Sequence, residues 1–210
     1  SRSSRPTSTS TASSVGNAAA MSTSHREFYV GLERAAAARA GHTDAAGAQA
    51  VHQTLAAGEG PRSACRSGCD HCCHFPVGVR FSEALLLAAS ISADVRLRAI
   101  VQRAAEVSRP KSWQELAGEP CPLLAEGHCA RYDARPTPCR ALRSFDADAC
   151  RGALQGTRAV PRDERAWWRG LGAAASLDDE IGPRELRSAV ASLLALDDDA
   201  SQQRAAAAFV

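Results

Sequence analysis

The chain has 210 residues, a formal net charge of +2, 45% apolar residues and 5% aromatics. That length suits one domain with tails or two small domains, and so small a charge implies no general affinity for nucleic acid or other polyanions. The first thirty residues contain no hydrophobic leader core and no later apolar run is long enough to span a bilayer, so a soluble cytoplasmic protein with no membrane contact is expected.

Taken in order, residues 1–24 are rich in serine, threonine and small residues and read as a disordered segment, with Met21 a candidate start. From His25, Phe28, Leu32, Ala35 and Ala36 recur at helical spacing, and Gly41 ends that helix. A second helix is expected from Asp44 to Ala57, closed by Gly58-Glu59-Gly60-Pro61. His42 and His52 in this region read as solvated or packing residues.

Next comes Cys65-Arg66-Ser67-Gly68-Cys69-Asp70-His71-Cys72-Cys73-His74, with four thiols in nine residues. On a regular helix these four would share one stripe, but Cys65 and Cys73 would stand roughly 12 Å apart along the axis. One ion binding sulfur at about 2.3 Å cannot bridge that gap. Either the chain bends, with Gly68 the natural place, or the thiols serve more than one metal atom. Cys72 and Cys73, as neighbours, point in different directions.

Phe75 to Arg80 looks extended, and Ser82 suits the N-cap of a buried helix from Glu83 to Ile91. A further amphipathic helix from about Ala93 to Val107 presents Leu97, Ile100, Val101 and Ala104, with Arg96, Arg98 and Arg103 as a solvated face, and Pro110 stops it. Residues 118–150 are punctuated by proline and glycine too often for long regular elements, and hold the remaining thiols, Cys121, Cys129, Cys139 and Cys150. Helix returns from Arg162 to Leu171, where one of Trp167 and Trp168 is expected in the core. Pro183 suits the first turn of a last helix reaching Leu196, with Leu186, Val190, Leu193 and Leu194 inward. Residues 197–210 show no core pattern and read as a tail, and Asp197-Asp198-Asp199 reads as a solvated helix end. The fold class expected is mainly α, a small helical domain over residues 25–196 with irregular cysteine-rich metal-binding loops centred on 61–150.

Eight cysteines in a secreted chain would suggest disulfides. In a reducing compartment, four plus four suggests metal, since a tetrahedral zinc and a cubane iron–sulfur cluster each take four ligands. The compact first group followed by thiols spaced 8, 10 and 11 residues apart departs from the paired short spacings of structural zinc, and Cys121-Pro122 has the Cys-Pro form of ferredoxin ligands. These favour an iron–sulfur cluster, of the four-iron four-sulfur type, over zinc. Two sites, or one site with accessory thiols, fit the count equally. His71, His74 and His128 flank the thiols and are expected to orient ligands more than to replace them. Arg135 and Arg140 suit hydrogen bonding to an anionic thiolate set, or else ordinary ion pairs with Asp133 or Asp146. Tyr132 reads as a packing residue.

Cys65-x3-Cys69-x2-Cys72-Cys73, with Pro120-Cys121-Pro122-Leu123, Gly127-x-Cys129, Tyr132, Arg135-Pro136 and Cys139-Arg140, resembles the eight-cysteine CxxCxxCC family, also called YkgJ-type cysteine-cluster proteins. The resemblance covers roughly residues 61–150. It implies a small, mostly bacterial, cytoplasmic domain chelating zinc or iron through its cysteines, here Cys65, Cys69, Cys72, Cys73, Cys121, Cys129, Cys139 and Cys150. Cys150 lies in the least distinctive setting, and the first spacing is x3 where the family name has x2. Longer relatives named flagellin lysine N-methylases offer a second function, a cluster-dependent methyltransferase. Cys65-x3-Cys69-x2-Cys72 is also the radical-SAM spacing, but the α/β barrel of that chemistry has no alternating βα pattern here. The expected partner is a metal ion; no residue points to a protein partner, a substrate or a cosubstrate pocket.

Overall fold

The computed structural model describes residues 22–42, 44–56, 63–66, 68–177 and 183–196. The expected disordered segment up to residue 21 and the tail from residue 197 lie outside the described residues. Eight helices occur among the described residues: α1 (Thr23–Arg39), α2 (Asp44–Ala56), α3 (Phe81–Ile91), α4 (Val95–Ser108), α5 (Thr137–Ala141), α6 (Ala147–Leu154), α7 (Glu164–Ala175) and α8 (Leu186–Leu194). Four two-residue strands make two antiparallel pairs, β1 (Gly78–Val79) with β4 (Arg184–Glu185), and β2 (Leu124–Ala125) with β3 (His128–Cys129). The fold is mainly α, as expected, and no described helix is long and apolar enough to cross a membrane.

Two packed groups make the core. The larger joins Leu85, Leu87 and Ile91 of α3 to Leu97 and Val101 of α4 and to Leu186, Val190 and Leu193 of α8. The smaller is built from Ala35, Ala48, Val51, Ala173 and Leu177. Its small side chains let α1 and α7 come very close. A Cβ on Gly31 would stand 2.0 Å from the Arg169 carbonyl oxygen, and one on Gly172 would stand 1.9 Å from that of Phe28. This close approach turns α1 so that Glu27, Gly31 and Ala35 are buried while Ala36 is exposed. Glu27 and Arg169 form an ion pair across the same contact.

Several expected boundaries move because caps, not apolar spacing, set them. Helix α1 starts at Thr23, with the Ser22 hydroxyl accepting from His25 N–H, so residues 23–24 are helical. Helix α3 starts at Phe81 and not Glu83: the Glu83 carboxylate accepts the Arg80 N–H at 3.0 Å. Ser82, the expected cap, is buried inside the helix instead. Asp94 caps α4 through Leu97 N–H at 3.0 Å, and the buried face is Leu97, Val101, Ala105 and Ser108, with Ile100 42% exposed. Asp163 and Glu185 cap α7 and α8, so Pro183 precedes β4 and does not open the last helix. Both Trp167 and Trp168 are half-buried, which corrects the expectation that one would be core.

Helix α5 lies within the stretch 118–150 and α6 begins in it, both unexpected from the sequence. Pro136 stands at the N-cap of α5 with Pro138 in its first turn, where proline has no lost hydrogen bond and a fitting φ. Asp146 caps α6 by accepting from Asp148 and Ala149 N–H at 2.8 and 3.0 Å. The plain setting of Cys150 is therefore a capped helix with Cys150 on its buried side.

Candidate metal centre

The first cysteine stretch is a chain of tight turns. Gly68 has φ +80°, a left-handed conformation costly for other residues, and Cys69 N–H donates to Arg66 C=O at 3.0 Å around it. The bend expected at Gly68 is thus present. His71–His74 is one short 3₁₀ turn, with Cys73 N–H on Asp70 C=O at 2.8 Å. Upstream, Ser63 takes the Cys65 N–H at 3.0 Å and donates to Ser144 C=O at 3.0 Å, and Ala64 N–H reaches the same carbonyl at 2.8 Å. The strap ties the Cys65 end to the approach of α6, which packs against the 71–74 turn.

The second set docks on the first through backbone. Cys121 N–H donates to Cys73 C=O at 2.7 Å, and Gly118 N–H to His74 C=O at 2.8 Å. The β2–β3 hairpin then places Cys129 opposite Leu124, and its tip glycine, Gly127, lies over Gly68. Arg187, only 3% exposed, holds the loop before Cys121 by donating to the Glu119 and Pro120 carbonyls at 3.0 and 3.1 Å. Glu83, fully buried, accepts Thr137 N–H at 2.6 Å and so holds the first residue of the helix that carries Cys139. Neither Arg187 nor Glu83 was among the expected site residues. A glutamate in an otherwise apolar helix was the signal available for the second.

Electrostatics show which thiols feel one another. Desolvation pushes Cys139 well above an ordinary thiol, and the neighbouring sulfurs of Cys121, Cys72 and Cys129 add to it, while the Arg135 charge opposes. Desolvation likewise pushes Cys121 up to about 11, with Cys129 adding to it. Cys129 is raised by desolvation and by Cys72. Cys72 is raised first by a hydrogen bond with Cys73 and then by desolvation. Cys150, 7% exposed, is raised by desolvation and then by Cys65, Cys69 and Cys72, against a hydrogen bond with Ser144. Charge is therefore felt across the sequence division: Cys139 feels Cys121, Cys72 and Cys129, and Cys150 feels Cys65, Cys69 and Cys72.

The sulfurs do not form a finished coordination shell. Among the described residues, no three His, Cys, Asp or Glu side chains stand close enough to hold one ion. Charge is felt over longer distances than a metal–sulfur bond spans, and protonated thiols must shed protons and close in as a metal enters. The donors suit that step: soft thiolates fit zinc or iron–sulfur clusters, and the Arg135 cation favours their ionised forms.

The flanking residues divide. Arg135 lies 3.6 Å over the Tyr132 ring and donates to Tyr132 C=O at 3.2 Å. Tyr132 is 60% exposed, so it is a platform for Arg135 and not the packing residue expected. Arg140 donates to Arg135 C=O at 2.7 Å and to the Asp133 carbonyl, bracing the loop. Ring nitrogens of His74 and His128 meet the Asp70 and Glu126 carbonyls at 3.2 and 2.8 Å, and His71 faces the Asp70 carboxylate at 3.7 Å. His52 is buried, as a packing histidine should be, and engages Glu83 at 3.1 Å.

No curated protein and no solved structure matches the chain. One family model does, over residues 64–158, with the printed description "Putative zinc- or iron-chelating domain". That span takes in all eight thiols, Ser144 and the two helices α5 and α6, and over it the chain is similar to the CxxCxxCC family model.

Proposed function

We propose that Cys65, Cys69, Cys72, Cys73, Cys121, Cys129, Cys139 and Cys150 are the metal ligands, and that the protein holds an iron–sulfur cluster in preference to zinc. Its role is metal handling, electron transfer or shape in a reducing, cytoplasmic setting. The observation that supports this most is that Cys139 feels the sulfurs of Cys121, Cys72 and Cys129, four thiols from four separate stretches of chain, with Cys121 N–H bonded to Cys73 C=O at 2.7 Å beside them. Four is the ligand number of a cubane cluster, and a cluster tolerates ligands spread over a loose shell better than one zinc ion does. Such a group ties the turns together when bound, and an iron–sulfur cluster adds one-electron chemistry.

Anaerobic purification followed by a visible spectrum and metal analysis tests it. A brown protein with iron and acid-labile sulfide supports the reading. A colourless protein with stoichiometric zinc overturns the cluster and leaves zinc chelation. Absence of metal with oxidised thiols overturns both. The transferase alternative needs a cosubstrate site; an open groove of about 450 Å³ bordered by Ile100, Val107, Pro120 and Arg187 is the place to look, by S-adenosylmethionine binding.

A further inference from the structure

Resting on that metal reading, we infer that Glu83 is the positioning residue of Cys139. It is not itself a ligand. It acts through the Thr137 N–H and fixes how the short helix α5 presents its sulfur to the metal.

Helix α5 has only five residues, too few to hold its shape alone. Contacts at its two ends fix it. At the start, the Thr137 N–H donates to the Glu83 carboxylate at 2.6 Å. Pro138, next in line, has no N–H to add a second bond. The Thr137 hydroxyl is buried without a hydrogen-bond partner, so the backbone and not the side chain makes this tie. At the far end, Ala141 lies against Gly170 of α7, where a Cβ on the glycine would stand 2.2 Å from the Ala141 Cβ. Cys139 is the residue midway between Thr137 and Ala141.

Glu83 suits this task because it is itself held in place. Its Oε1 takes the Thr137 N–H and engages His52 Nε2 at 3.1 Å, while Oε2 takes the Arg80 N–H at 3.0 Å. Bonds from α2, from α5 and from the residue before α3 leave the carboxylate one orientation. The ring of His52 spends Nε2 on Glu83, and its Nδ1 has no partner. Packing α2 on α3 does not call for such a pair, since a buried charge costs desolvation that apolar side chains avoid. A backbone N–H at the start of α5 does call for it, because no apolar side chain can accept a hydrogen bond. The other ends of the thiol set have supports of their own. Cys65 is held by the Ser63 strap, and Cys150 rides on α6 with its cap at Asp146.

The full chain, reduced and free of metal, is alkylated with iodoacetamide, and the rate at each cysteine is read by mass spectrometry. Thr137→Pro removes the donor and leaves His52 and Arg80 on the carboxylate. Proline suits the first position of a helix, and Pro136 before it is already extended, with ψ 162°. Cys139 is expected to react about tenfold faster, the scale of one lost hydrogen bond to a charged group, with Cys65 and Cys150 unchanged. An unchanged Cys139 overturns the proposal. So does an equal rise at Cys139 and Cys150, which would make the bond a matter of overall stability. Should Thr137→Pro lose its helical circular dichroism, Glu83→Asp, which draws the carboxylate back from Thr137, decides by the same comparison; loss in both overturns the positioning role. The same variant loaded with cobalt(II) should give up its metal to a chelator about 10–100-fold faster than the unaltered chain, and equal rates overturn the proposal. Uptake of neither cobalt, zinc nor iron by the unaltered chain is a separate result, which overturns the metal reading and leaves the alkylation result standing.

Discussion

Glu83 and Thr137, 54 residues apart, share a buried 2.6 Å hydrogen bond from the Thr137 N–H to the Glu83 carboxylate. The same carboxylate takes the Arg80 N–H at 3.0 Å and faces His52 Nε2 at 3.1 Å. One side chain thus caps α3, anchors α2 and holds the first residue of α5, two positions before Cys139. Its removal takes this acceptor from the buried His52 imidazole, from the buried Thr137 N–H and from the part-buried Arg80 N–H. Glu83→Ala is expected to lower unfolding stability by roughly 3–5 kcal/mol, the scale for breaking a buried pair at one end, read from urea denaturation of the reduced protein. Glu83→Gln, which keeps the shape, should lose less.

Acid sensitivity follows from the same group. Burial alone would raise the Glu83 carboxyl, but the bonds from His52, Arg80 and Thr137 hold it below its ordinary 4.5. A carboxylate lowered in the folded state binds its proton more readily when unfolded, so its contribution is complete above 4.5 and is lost as pH falls below that value. Stability measured from neutral pH downward should drop in that window, and Glu83→Gln should flatten the drop. An unchanged acid limb in the variant would sink this account.

Arg135 bears a charge that Cys72, Cys129 and Cys139 all feel. Arg135→Gln removes it without removing a ligand. Metal retention is expected to weaken by about 10–100-fold, the range for residues that support ligands, in a chelator competition at fixed pH. Arg135→Lys keeps the charge but loses the flat stack on Tyr132, and should fall between the two.

Two glycine replacements should act in opposite directions. Gly172→Ala places a methyl 1.9 Å from the Phe28 carbonyl, so α1 must move away from α7, at a cost of about 1–3 kcal/mol or more. Gly47→Ala meets nothing nearer than 3.5 Å near the start of α2 and should stabilise by about 0.5–1 kcal/mol. Melting temperatures of the two variants check the pair.

Removing a buried leucine tests the larger core. Leu87 is fully buried within it, and Leu87→Ala should cost about 2–5 kcal/mol, depending on how far the site collapses. A loss well under that range in denaturant unfolding would mean that α3 is not the centre of the packing.

Much of this molecule is legible along the chain because local chemistry dictates it. Apolar spacing marks α1, α2, α3, α4, α7 and α8, and a left-handed bend needs a residue such as Gly68. Soft thiols in two runs point to metal whatever the fold. The short helices α5 and α6 were not legible, because prolines and a lone aspartate read as loop until their places at helix starts are known. Nor were the roles of Glu83 and Arg187, whose partners lie 54 and about 68 residues away in the chain. The largest gap was the grouping of the thiols. Sequence separates the first four from the last four, since spacing is its only measure of nearness. The backbone bonds of Cys121 to Cys73 and of Ala64 to Ser144 tie distant parts of the chain to the first thiol run. Spacing along the chain reveals no such bond, because each depends on how the helices pack and not on the residues next to it.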